Sequence, residues 1–150
     1  MTAVGYKNKE NMKTTKTVEV QCSLERLWKV LTESEFTQQY MFNCSVSTTW
    51  LVEEEIIWQG NFNGYEAYQK GVVITFNPFE EIKYSTFDPN FGLEDKPENY
   101  IHVTYRLSKK NDSVELEISN ETFDGNEERM NHIKSGWDMV LPLIKEVAEK

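Results

Sequence analysis

The sequence predicts an α+β fold in which a curved antiparallel sheet of about six to seven strands holds one long C-terminal helix. Two short helices follow the first strand. Three observations carry that expectation. From Asn126 to Lys150, the residues Met130, Ile133, Trp137, Val140, Leu141, Ile144, Val147 and Ala148 recur at three- and four-residue steps. That spacing draws one apolar stripe along a helix. The middle of the chain is a succession of β-forming segments joined by short turns, which implies antiparallel pairing because parallel strands need long crossovers. Helical patterns are confined to the two ends, the mark of α+β rather than alternating α/β architecture. At 1.5 Å per residue the last helix would be roughly 36 Å long, close to the width of seven strands about 4.8 Å apart. One helix can therefore lie across one sheet, with a hollow between them.

Residues 1–13 carry no periodicity and read as a frayed tail, leaving one domain over residues 14–150. From Lys16, Val18, Val20 and Cys22 alternate with Thr17, Glu19 and Gln21, a half-buried strand. Ser23 offers a side-chain oxygen to the first free amides of a helix. In that helix Leu24, Leu27, Trp28 and Leu31 share one face. Thr32 with Glu35 has the spacing of a capping box and predicts a second short helix through Gln38 or Tyr40. Strands are then expected at Cys44–Leu51 and Glu54–Gln59, followed by a turn over Gly60–Gly64. Further strands are expected at Tyr68–Phe76, Glu81–Phe87, Tyr100–Leu107 and Val114–Ser119. Asn77-Pro78, Asp88-Pro89-Asn90 and Lys109–Ser113 punctuate them.

Charge excludes some functions. Sixteen basic residues against 25 acidic ones give a net charge of −9. A nucleic-acid binder needs a basic face to displace counterions from phosphate, and an anionic membrane attracts the same kind of face. Neither partner is expected. No apolar run approaches the roughly 18 residues of a membrane span, and Met1–Lys16 lacks the apolar core of a secretory signal. Cys22 and Cys44 stand far apart, in no redox or metal-ligand spacing, and read as small core residues. A cytoplasmic protein is the resulting expectation.

A catalytic set does not emerge. His102 and His132 are the two histidines, the first at a sheet-surface position and the second off the main helical stripe. No HxxxH, HxxE or CxxC spacing occurs, so no metal site and no cofactor are expected. Glu53-Glu54-Glu55 reads as a solvated edge, because consecutive strand residues cannot all face one pocket. Glu66, Glu80 and Glu81 lie near turns and read the same way. In the last helix, Gly136 would allow another element to come close beside Trp137, and Pro142 should bend the helix.

Several segments together resemble the Hsp90-ATPase-activator-like (AHSA1) family of the START-like, or SRPBCC, superfamily. They are Leu27-Trp28-Lys29-Val30-Leu31-Thr32, Trp58-Gln59-Gly60, Gly71-Val72-Val73, and Ser135-Gly136-Trp137 with Leu141, Leu143 and Ile144. The resemblance spans about residues 14–149 and implies the helix-grip (START-like, Bet v 1-like) fold, in agreement with the element order. Eukaryotic activators of the family carry an additional N-terminal domain. Only the smaller C-terminal module is matched, so Hsp90 is not an expected partner.

The expected activity is non-catalytic binding of a small, largely apolar molecule between helix and sheet. A cyclase- or hydrolase-like enzyme in the same hollow is one alternative. A protein-interaction module related to Hsp90 co-chaperones is another. Met41, Trp50, Trp58, Tyr68, Phe76, Tyr84, Tyr105, Met130 and Trp137 are candidates for the inner surface. Strand alternation puts Tyr84 and Thr86 on one face with Ile82, and Val103 on one face with Tyr105. These, with Trp58, Met130, Ile133 and Trp137, are the expected ligand-binding residues. The chain would act as a monomer or homodimer.

Overall fold

The computed structural model describes residues 11–150 and has the expected order of elements. The chain runs through β1 (Met12–Val20), α1 (Leu24–Thr32), α2 (Ser34–Thr37), β2 (Ser45–Thr48), β3 (Glu55–Phe62) and β4 (Tyr65–Asn77). It continues through β5 (Glu81–Thr86), one 3₁₀ turn (Pro97–Asn99), β6 (Ile101–Lys109), β7 (Val114–Thr122) and α3 (Glu127–Ala148). The strands form one seven-stranded sheet in the order β1-β7-β6-β5-β4-β3-β2, antiparallel throughout. Strand β1 leaves the meander and returns to its far edge beside β7.

Local chemistry explains most boundaries. Ser23 caps α1, its Oγ accepting from the Arg26 amide at 3.1 Å. Leu27, Val30 and Leu31 on that helix are wholly buried. The capping box expected at Thr32 and Glu35 does not form. Thr32 Oγ1 donates back to the Trp28 carbonyl at 2.8 Å, and Glu33 begins α2 with no side-chain cap. A threonine in a last helical turn finds the carbonyl four residues back closer than the next helix's amides.

The tail expected over residues 1–13 lies mostly outside the described residues. At its end Met12 and Lys13 belong to β1, paired with Thr122 and Glu121. The turn expected over Gly60–Gly64 is shorter than its glycines suggested. Strand β3 runs on to Phe62, and the reversal is Asn63-Gly64, both at positive φ, the two-residue hairpin that suits a twisted sheet. Gly60 stays in the strand, paired with Ala67, and a Cβ there would overlap the Asn43 carbonyl.

Two aromatic groups pack beneath the helices. Phe76 stacks with Trp50 at 5.5 Å and meets Trp28 of α1 at 5.4 Å. Trp50 and Phe76, two candidates for the inner surface, therefore pack in the cluster around Trp28. The other group lies under α3.

Helix α3 behaves differently along its length. Val140, Leu141, Ile144, Val147 and Ala148 are buried against the core, whereas Ile133 and Trp137 are half-buried. The C-terminal end is tied down by the Arg26 guanidinium, which donates to the carbonyls of Val147 at 2.9 Å and Ala148 at 3.3 Å. Glu149 accepts from the Gln21 amide at 2.7 Å. Pro142 lies on the exposed side of the helix, which continues through it.

Candidate ligand cavity

Sheet register assembles the wall. Tyr84 is the cross-strand partner of Val103, and Val103 of Asn120, so the three form one row across β5, β6 and β7. Ile82, Tyr105 and Ile118 make the next row. Above the first row, the N-terminal half of α3 stands off from the sheet and leaves a cavity of about 510 Å³. Trp58, Tyr84 and Val103 line it from the sheet, and Ile133, Gly136 and Trp137 from the helix. Phe42, Phe62, Tyr65 and Phe91 also line it and are 36–58% exposed, so they mark its mouth.

Six of the eight predicted residues meet here: Trp58, Tyr84, Thr86, Val103, Ile133 and Trp137. Tyr105 and Met130 do not. Tyr105 belongs to the second row and flanks the wall on the same face, its hydroxyl 2.9 Å from that of Tyr84 and its ring against Trp137. Met130 is buried but off the lining. Gly136, expected to admit another element, admits none: nothing lies within 4 Å of where its Cβ would be, and it opens onto the cavity.

The wall also carries residues that were not foreseen. Arg129, on the first turn of α3, donates to Asp124 at 2.7 Å and to the Asn99 carbonyl at 2.9 Å. Its charge is thus answered locally. Gln69 accepts from Thr86 at 2.6 Å. Asn120 was missed because the strand was expected to stop at Ser119. The signal that finds it is parity: Val114, Leu116 and Ile118 face inward, and Asn120 is next in that series.

Burial governs the electrostatics. It pushes the Tyr84 and Tyr105 hydroxyls well above the ordinary tyrosine range, so both stay neutral and available as donors. Burial likewise pushes the Cys44 thiol up to about 11. Two buried atoms on the lining residues have no hydrogen-bond partner among the described residues: Trp58 Nε1 and the Asn120 carboxamide oxygen. An orphaned buried polar atom costs about 1–3 kcal/mol. No three His, Cys, Asp or Glu side chains among the described residues are grouped as a metal ion would require.

A long terminal helix across a curved seven-stranded antiparallel sheet, with a hollow beneath it, is the helix-grip (START-like, Bet v 1-like) fold. Within it the chain belongs to the Activator of Hsp90 ATPase homolog 1-like family, which matches residues 21–149. The solution structure of ChR145 from Cytophaga hutchinsonii is similar at 27% identity, covering 93% of this chain and 94% of that one, with a TM-score of 0.76. The Aha1 dimer from Colwellia psychrerythraea is 16% identical over 92% and 96% of the two chains, with a TM-score of 0.72. Ara h 8.0201 shares the fold at 10% identity, 93% and 98% coverage and a TM-score of 0.70. Comparison with curated proteins gives no match. No helix among the described residues is long and apolar enough to cross a membrane.

Proposed function

We propose that the chain binds one small, largely apolar molecule in the cavity under the N-terminal half of α3, without transforming it. The cavity itself carries this reading: about 510 Å³ of space lined mainly by aromatic and aliphatic side chains. That is within the range of small-molecule sites. Held dry, such a void would forfeit on the order of 10 kcal/mol, comparable with the net stability of a whole domain. Something occupies it, and apolar walls favour an apolar guest over water. The neutral Tyr84 and Tyr105 can donate hydrogen bonds but are poor bases at physiological pH, which favours carriage over acid–base chemistry.

Gly136→Leu is the direct test. Its side chain would project into the cavity without meeting another element. Binding of 2-ethylnaphthalene and similar probes, followed by thermal shift and native mass spectrometry, should weaken at least tenfold while the melting temperature is unchanged or higher. If no apolar probe binds the parent chain, or if Gly136→Leu binds them equally, the proposal fails. The aromatic mouth supports a second reading, a protein-interaction module. In that case Gly136→Leu would leave partner capture intact, and Phe62→Ser with Phe91→Ser would abolish it. We further read the chain as a cytoplasmic domain that takes in Met12 and Lys13 of β1 along with the expected residues 14–150. Homodimer formation, as in the Colwellia Aha1 dimer, is a matter for sedimentation.

A further inference from the structure

Resting on that reading, we infer that the guest carries a positively charged nitrogen. Its class is an apolar amine or quaternary ammonium, the charge held at the mouth by Asp88 and the ring of Phe91. The charges on the lining point there. With histidine counted neutral, two lining residues carry a formal charge, Arg129 and Asp88. The Arg129 guanidinium is matched by Asp124 at 2.7 Å, their side chains only 8% and 10% exposed. Asp88 forms no ion pair among the described residues. Lys70, whose strand meets Phe87, is engaged by Asp95 at 2.6 Å instead. The lining therefore keeps one unanswered negative charge.

That charge is held in place. Asp88-Pro89-Asn90-Phe91 is one β-turn, closed by the Phe91 amide donating to the Asp88 carbonyl at 3.2 Å. Asp88 Oδ1 accepts from the Asn90 amide at 2.8 Å, and Oδ2 has no partner among the described residues. The Cα atoms at the ends of such a turn lie within about 7 Å of each other. Asp88 and Phe91 are thus close enough to share one small cation. Phe91 is 53% exposed, lines the cavity and lies against His132 of α3 at 6.0 Å. An aromatic face draws a cation through its quadrupole, and a carboxylate beside the ring adds its own attraction. At the mouth, water still reaches the charged head, so little of its hydration is lost, while the apolar body fills the space beyond. An anionic guest meets the reverse: Asp88 repels it, Arg129 is already engaged, and the whole chain carries −9.

The test is three probes of one shape and permanent charge, read by calorimetry and by quenching of tryptophan fluorescence. They are (2-naphthylmethyl)trimethylammonium, its neutral carbon isostere 2-neopentylnaphthalene, and 2-naphthylmethanesulfonate. The parent chain should bind the ammonium about tenfold more tightly than the isostere, and the sulfonate at least tenfold more weakly. Asp88→Asn, which keeps the acceptor for the Asn90 amide, should abolish the preference for the ammonium and leave the isostere unchanged. Phe91→Leu should reduce that preference about threefold. Glu25→Gln, which removes one negative charge from α1, should leave it intact. An ammonium no tighter than the isostere, or a tighter sulfonate, overturns the inference and leaves the proposed function standing. So does a preference that survives Asp88→Asn, or one that Glu25→Gln lowers equally, which would assign it to overall charge. If Asp88→Asn loses the isostere as well, Phe91→Leu decides, and a full preference there overturns the inference. Absence of any binding to the parent chain, isostere included, removes the proposed function itself.

Discussion

Two glycines show how differently one residue type can be used. At Gly71 a Cβ would overlap the carbonyl of Ser85, because β4 and β5 come together closely beside the register shift between Val73 and Thr75. Gly71→Ala should therefore lower stability by about 1–3 kcal/mol in urea melts, the usual cost of overpacking. Gly136 has nothing within 4 Å, and Gly136→Ala should raise stability by up to about 1 kcal/mol through helix propensity. Sequence alone marked Gly136 as unusual but could not tell close approach from open space, because that depends on what lies across from it. Cys44 makes a third case. Burial favours its protonated thiol, so its contribution to stability is complete below the ordinary value near 9 and disappears as pH rises through about 11. Iodoacetamide at pH 8 should modify Cys44 in the folded chain about a hundredfold more slowly than in urea. The half-exposed Cys22 should react first.

Among the elements, α3 was the most legible from sequence, because its period of 3.6 writes the apolar stripe directly into the chain. What the stripe could not reveal is that its two halves face different surroundings. Ile144 is wholly buried, whereas Ile133 borders open space. Ile144→Ala should cost about 2–5 kcal/mol, and Ile133→Ala about 1 kcal/mol or less, in chemical denaturation. Strand interiors were also legible, through their alternation. Their ends were not: β1 starts at Met12 and β7 extends to Thr122, and apart from Met12 the residues at those ends are polar ones whose pairing depends on each other. Met12 and Thr122 became strand only by lying opposite one another. The unforeseen Asn120 belongs to the same extension.

At the level of the whole molecule, the order of elements and the antiparallel meander followed from short connections and segregated helices. Tyr84, Thr86 and Val103 followed from strand alternation, and Ile133 and Trp137 from the helical stripe. Tyr105 was misplaced because alternation tells which face a side chain occupies but not how far along the sheet the helix covers it. The cavity is a product of that distance, and no local pattern encodes it. Arg26 has a wider importance than its place at the edge of the core suggests. It fastens the last carbonyls of α3, and Lys145 adds a bond to the Glu19 carbonyl at 2.7 Å. The opposite end is held through Arg129 to a loop carbonyl and a neighbouring carboxylate. Both ends of the rod are thus pinned, and the turns between them, over the cavity, have the least packed against them. Hydrogen exchange should accordingly be faster for amides of residues 130–137 than for residues 140–148. Arg26→Gln should reduce the contrast by loosening the C-terminal turns.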